Sequence, residues 1–136
     1  MVMFSNPIMR KSTRVPLKLK VILQRDNKEI ESYTHDISVD GMFVQSVEKI
    51  QINTLINCSL FLPEQQEPLS ILSRVMYDGI FSYTGKESFY GIGLNFMEIT
   101  DESRKILKTY LDKQFYQCKN YRIPRKLNQS TDNGNS

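Results

Sequence analysis

A chain of 136 residues, 40% hydrophobic and 24% charged, has the length and composition of one globular domain and can bury a core. Its net charge of +3 is too small to argue for bulk nucleic-acid binding, but it suits a small anionic ligand if the basic residues cluster. Two cysteines, Cys58 and Cys118, at no metal-ligand spacing, suggest neither a disulfide framework nor a zinc site, and no run approaches a membrane span.

The opening "MVMFSNPIMR" lacks the apolar stretch of a signal peptide, so a cytoplasmic protein without membrane insertion is expected. Residues 1–8 read as a flexible lead-in, with Pro7 discouraging regular structure. After Arg14 the period becomes two: Leu17, Leu19, Val21 and Leu23 alternate with Lys18, Lys20, Ile22 and Gln24, a strand with one face toward a core. "RDNKE" has turn composition, and "IESYTHDI" and "VDGMFVQS" follow as strands. "INTLINCSLFL" puts Ile56, Cys58, Leu60 and Leu62 on one face, and "PEQQEP" ends it. "LSILSRVMYD" places Leu69, Ile71, Val75 and Tyr77 on one side, with Arg74 and Met76 on the other. "DGIFSYTGKESFYG" reads as a hairpin whose aromatics, Phe81, Tyr83, Phe89 and Tyr90, are structural, and "FYGIGLNF" aligns Tyr90, Ile92, Leu94 and Phe96.

The period then changes. Thr100 is a plausible N-cap with Asp101 and Glu102 in the first turn, and Ile106, Leu107, Tyr110, Leu111 and Phe115 form a stripe at helical spacing. The domain is expected to span residues 9–118, followed by a polar tail over 119–136 that is disordered at its end. The basic tail segment "KNYRIPRKL" reads either as a solubilising tail or as a docking peptide. Successive short-linked strands and one helix predict a small antiparallel barrel with the helix packed against it.

Two stretches carry chemistry. "RKSTR" holds Arg10 and Arg14 four positions apart, and "DISVDG" holds Asp36, Ser38 and Gly41 at the spacing D-x-S-x-x-G. Arginine is a planar fork of donors that grips phosphate or the paired acceptors of guanine's Hoogsteen edge. Asp36 accepts where the arginines donate, which suits the N–H donors of guanine's Watson–Crick edge. Ser38 can donate to a phosphate oxygen or brace a turn. Gly41 supplies a backbone shape, or a close approach, that a Cβ would block. Together these residues describe a site for a guanine nucleotide with accessible phosphate. Tyr77 is either a packing residue or an aromatic face for a purine, beside Arg74 on a strand that could line the site. His35, the sole histidine, reads as a surface strand residue and not a metal ligand.

R-x-x-x-R followed by D-x-S-x-x-G, with one strand between them, resembles the PilZ domain, the bacterial receptor module for cyclic di-GMP. The late "GIGLNF" strand and the acid-capped helix extend the resemblance over about residues 9–115. It implies an all-β fold, a six-stranded antiparallel barrel with a C-terminal helix, and no catalysis or cofactor. It also implies that Arg10, Arg14 and Asp36 contact the ligand while Ser38 and Gly41 shape the loop. Lys11 stands where many members have a second arginine, keeping the charge but losing the bidentate fork. The residue before the motif, Met9, bears on whether one or two cyclic di-GMP molecules bind. Arg74 and Tyr77 are secondary candidates for the same site.

The expected function is a stand-alone cyclic di-GMP receptor that signals to an unidentified effector protein through ligand-induced ordering of its N-terminal arm. One alternative is a PilZ-like interaction module with weak or no nucleotide binding. Another is a barrel binding single-stranded nucleic acid through Lys18, Lys20 and exposed aromatics, which the low charge disfavours. No nucleophile–base pair, carboxylate constellation or metal cluster is legible, so an enzyme is the least supported class.

Overall fold

Six strands of alternating burial close on themselves in this computed structural model, which describes residues 13–82 and 86–129, with side chains to Phe115. They are β1 (Lys20–Arg25), β2 (Lys28–Ile37), β3 (Gly41–Gln45), β4 (Leu55–Leu60), β5 (Leu69–Phe81) and β6 (Phe89–Glu98). Every neighbouring pair is antiparallel, and the order β1-β2-β3-β6-β5-β4 forms a closed barrel. Closure pairs every strand on both sides and leaves no edge to template aggregation.

The inward residues follow the period of two. Val21 and Leu23 of β1, Ile56, Cys58 and Leu60 of β4, and Ile92 and Leu94 of β6 are buried within the barrel cluster. Each fully buried aliphatic side chain of this kind stabilises the fold by about 1.5–3 kcal/mol. Burial also pushes the Cys58 thiol up to about 11, although its contact with the Ser73 hydroxyl acts the other way.

Helix α1 (Asp101–Gln129) closes one end of the barrel. Its Leu107 and Leu111 are buried, with Ile106 and Tyr110 packed on the same cluster. Thr100 caps it, its Oγ1 accepting from the Ser103 N–H at 3.1 Å, with Asp101 and Glu102 in the first turn. At the far end, the loop after β3 folds Ile50 into the core. Tyr90 holds it there, its hydroxyl accepting from the Ile50 N–H at 3.0 Å and donating to Asp78 at 2.9 Å. Burial first, and the Asp78 carboxylate beside it, hold the Tyr90 hydroxyl above its ordinary pKa. Among the described residues no helix is long and apolar enough to cross a membrane.

Three details differ from the sequence expectation. The regular strand begins at Lys20, not near Val15, because Pro16 has no N–H to give a ladder and residues 16–19 run as extended chain across β2. Tyr77 does not share a face with Val75: the β5–β6 register shifts between them, so Val75 is buried while Tyr77 turns outward and is 43% exposed. The helical backbone of α1 runs on to Gln129, past residue 118. The hairpin ladder pairs Phe81 with Phe89, whereas Tyr83 lies outside the described residues.

Candidate functional site

Arg14 and Asp36, distant in sequence, are brought together by two anchors on the segment before β1. Val15 is buried and forms an isolated antiparallel bridge with Ile37, with Val15 N–H to Ile37 O at 2.8 Å and Ile37 N–H to Val15 O at 3.0 Å. Thr34 holds the rest of the segment, its hydroxyl accepting from the Leu19 N–H at 2.9 Å and donating to the Leu17 carbonyl at 2.6 Å. Arg14 is thereby fixed at the mouth of the D-x-S-x-x-G loop, its Nε 3.2 Å from Asp36 Oδ1. Oδ1 is buried yet accepts no aligned hydrogen bond among the described residues. The pair is therefore held by charge proximity, and the carboxylate retains unused capacity for N–H donors.

A second register shift, between Thr34 and Asp36, decides what Asp36 faces. The bulge brings Asp36 opposite Phe43, Phe43 opposite Gly93, and Gly93 opposite Tyr77. One outward row thus crosses β2, β3, β6 and β5. A side chain at Gly93 would drive into the Tyr77 ring, so the glycine lets that ring lie on the sheet. Phe43 is buried although it points out, because Phe81 meets it edge-on at 4.8 Å and Tyr77 stacks at 6.1 Å. The bulge residue His35 stacks on Phe89 at 4.3 Å, and its Nε2 lies 3.3 Å from Gln45 Oε1. Beside this row an open groove of about 600 Å³ runs between the 16–18 segment and β2, lined in part by Lys18, Tyr33, His35 and Gln45.

The other half of the motif is buried. Ser38 is 3% exposed, its Oγ accepts from the Asp40 N–H at 3.1 Å, and its own N–H donates to the Gly41 carbonyl at 2.8 Å. The Asp40 carbonyl accepts from the Phe96 N–H at 2.8 Å, and Arg104 of α1 reaches the Val39 carbonyl at 3.2 Å. Barrel and helix together pin this loop. A Cβ on Gly41 would collide with the Leu94 carbonyl oxygen of the paired strand, so the need for glycine is close approach and not a left-handed backbone.

Of the residues expected at the site, Arg14, Asp36, Ser38 and Gly41 are brought together, and Tyr77 ends the row that begins at Asp36. Met9, Arg10 and Lys11 lie outside the described residues. Arg74 stands one row further along, opposite Asn95, which is opposite Gly41. Lys18 and Lys20 lie over the rings of Tyr33 and Phe61, at 5.0 and 5.1 Å. Sequence reasoning missed Phe43, Gly93 and the stacking of His35. The alternate glycines of "GIGLNF" were the available signal, since such a strand leaves room for rings from its neighbours. Among the described residues no group of three or more His, Cys, Asp or Glu side chains could hold a metal ion.

The PilZ domain family model matches residues 9–113. Among solved structures, the chain is similar to the Bacillus subtilis inhibitor of motility MotI/DgrA, with TM-score 0.69 and 21% identity over 79% of this chain and 52% of that one. It is similar to the PilZ domain of Escherichia coli YcgR with c-di-GMP, with TM-score 0.65 and 9% identity over 83% of this chain and 96% of that one. The K. pneumonia MrkH–c-di-GMP complex matches with TM-score 0.64 and 21% identity over 82% of this chain and 55% of that one. The chain thus spans about half the length of MotI/DgrA and MrkH, and at these identities the likeness is one of fold. No curated protein matches significantly.

Proposed function

Because the chain belongs to the PilZ domain family, we propose that it is a cyclic di-GMP receptor that passes its signal to a partner protein and catalyses nothing itself. The observation that carries this reading is the Asp36 carboxylate, facing an arginine fork and buried at one oxygen that has no aligned donor among the described residues. A guanine offers donors on its Watson–Crick edge to the carboxylate, and Hoogsteen acceptors or phosphate to Arg14. Arg10 and Lys11, next along the chain, extend the grip on phosphate, and Met9 bears on how many ligand molecules fit. Tyr77 and Phe43 give the purine an apolar, aromatic wall, while Ser38 and Gly41 act on the shape of the loop. The ligand's setting makes the cytoplasm the place of action.

Binding is proposed to order the arm ahead of the anchored segment, residues 5–12, against the barrel, building a surface that the partner reads. A few base contacts at about 1–3 kcal/mol each, less the cost of ordering the arm, give a dissociation constant on the order of micromolar or tighter. Titration calorimetry with cyclic di-GMP, GTP and a short oligonucleotide tests the reading. Heat from cyclic di-GMP alone is expected; none at tens of micromolar would leave a PilZ fold serving as an interaction module. Amide exchange at residues 5–12 should slow on binding, and unchanged exchange with binding confirmed would end the arm mechanism.

A further inference from the structure

Arg74 is the anomaly on the outer surface. Its guanidinium has no oxygen acceptor among the described residues: Nε is buried without a partner, and Nη2 meets only the Met97 thioether, at 3.5 Å. The neighbouring Asn95 side chain spends its amide donor on the same sulfur, at 3.6 Å. A thioether is a weak acceptor, so two strong donor groups converge on one poor partner. Leaving a buried donor unmet is costly, and that cost is removed when an acceptor arrives from outside.

The surroundings of Arg74 are apolar and open. Leu55 is its direct partner on β4, and Met76, Tyr77 and Met97 lie on the adjoining positions of β5 and β6. These four are 58%, 48%, 43% and 41% exposed, respectively. The described side chains of α1 pack on the barrel end, through Leu107 and Leu111. Two methionines on such a face add soft, adaptable contact, the character of surfaces that accommodate a peptide.

We propose that the outer face of β4, β5 and β6 around Arg74 docks a segment of a partner protein that presents one carboxylate within an apolar surface. The carboxylate would accept bidentately from Arg74, with the Asn95 amide as a further donor, while Leu55, Met76 and Met97 close over its apolar flanks. Charge complementarity selects this occupant: an apolar partner without an acid would seal Arg74 in unpaired, and a basic one would be repelled. The inference does not depend on nucleotide binding, although Tyr77 borders both surfaces and gives ligand and partner a shared wall.

The test selects a phage-displayed library of random linear peptides against the full chain labelled at its methionine methyl groups. Enriched peptides should carry Asp or Glu among large apolar residues and shift the Met76 and Met97 methyl signals. Changing that acid to its amide should weaken binding at least tenfold. Arg74→Gln should weaken the acidic peptide equally and the amide peptide no further. Leu55→Ser, at an exposed position, should weaken both, which guards against misreading a folding defect in the arginine variant. The proposal is overturned if no peptide enriches, if enriched peptides need no acid, or if they leave both methyl signals unmoved. Concentration-dependent self-association through this face would assign it to a second copy of the chain and overturn it as well. So would a tenfold loss of cyclic di-GMP affinity in Arg74→Gln, which would give the arginine to the nucleotide.

Discussion

The R-x-x-x-R and D-x-S-x-x-G motifs together contain two regions that meet at one loop and behave in opposite ways. Ser38 and Gly41 are buried, spend their polar groups on the loop itself, and sit against a paired strand. Arg14 and Asp36 face outward, are partly exposed, and touch each other through charge without an aligned hydrogen bond. The first pair is satisfied by the fold, whereas the second keeps capacity in reserve. A motif read as one unit in sequence is therefore a scaffold and a grip. Substitutions should separate the two through stability on one side and affinity on the other.

The largest effect is expected at Gly41. Valine there would force its side chain into the Leu94 carbonyl, and the β3–β6 ladder would have to open. Overpacking of this kind costs about 1–3 kcal/mol, and more where the obstacle is backbone. Thermal unfolding should show that loss together with weakened binding of cyclic di-GMP. An unchanged melting curve would mean that the strands separate freely at Gly41, and the scaffold half would lose its main support.

Arg14→Ala and Asp36→Ala should do the reverse. Each removes a group offered to ligand, so affinity should fall at least tenfold, about 1.4 kcal/mol in binding free energy. Stability should move far less, by about 0.5 kcal/mol for groups this exposed. If calorimetry finds wild-type affinity in both variants, the grip is not where the ligand binds. Ser38→Ala comes next: it strands the Asp40 N–H, and about 1 kcal/mol of stability should be lost by denaturant titration. Affinity should fall only as the loop loosens, and by less than for Arg14→Ala.

The inner half of the molecule was legible because a period of two is a local property. Ile56, Cys58 and Leu60, or Ile92 and Leu94, could be assigned to the core from their own spacing, and the structure buries them all. Tyr77 was misplaced because a bulge is a property of a strand pair, and nothing within "RVMYD" announces one. The motif residues were legible by type and spacing, but the reason for glycine at 41 depends on Leu94, on another strand. The aromatic row was hidden for the same cause: Asp36, Phe43, Gly93 and Tyr77 become neighbours only through three successive strand pairings. Arg14 reaches Asp36 only because Val15 bridges Ile37, which the sequence does not signal.

The smallest expected effect bears most directly on the comparison. If Arg14 and Asp36 are held in reserve for ligand, their mutual attraction in the free protein must be weak enough to give up. The lack of an aligned hydrogen bond between Arg14 and Oδ1 and the partial exposure of both side chains argue for a contact of about 0.5 kcal/mol or less. A double-mutant cycle on stability, using the two alanine variants and their combination, measures this coupling. It should be near that limit at low salt and fall further at physiological ionic strength, as attraction between solvent-accessible charges does. The singles need not be equal: Arg14→Ala leaves a carboxylate with one buried oxygen, whereas Asp36→Ala leaves a guanidinium that can turn to water. Arg14→Ala should therefore be the more destabilising of the two, by a few tenths of a kcal/mol. A coupling of several kcal/mol that ignores salt would make the pair a structural bridge, and ligand would then have to break part of the fold in order to bind.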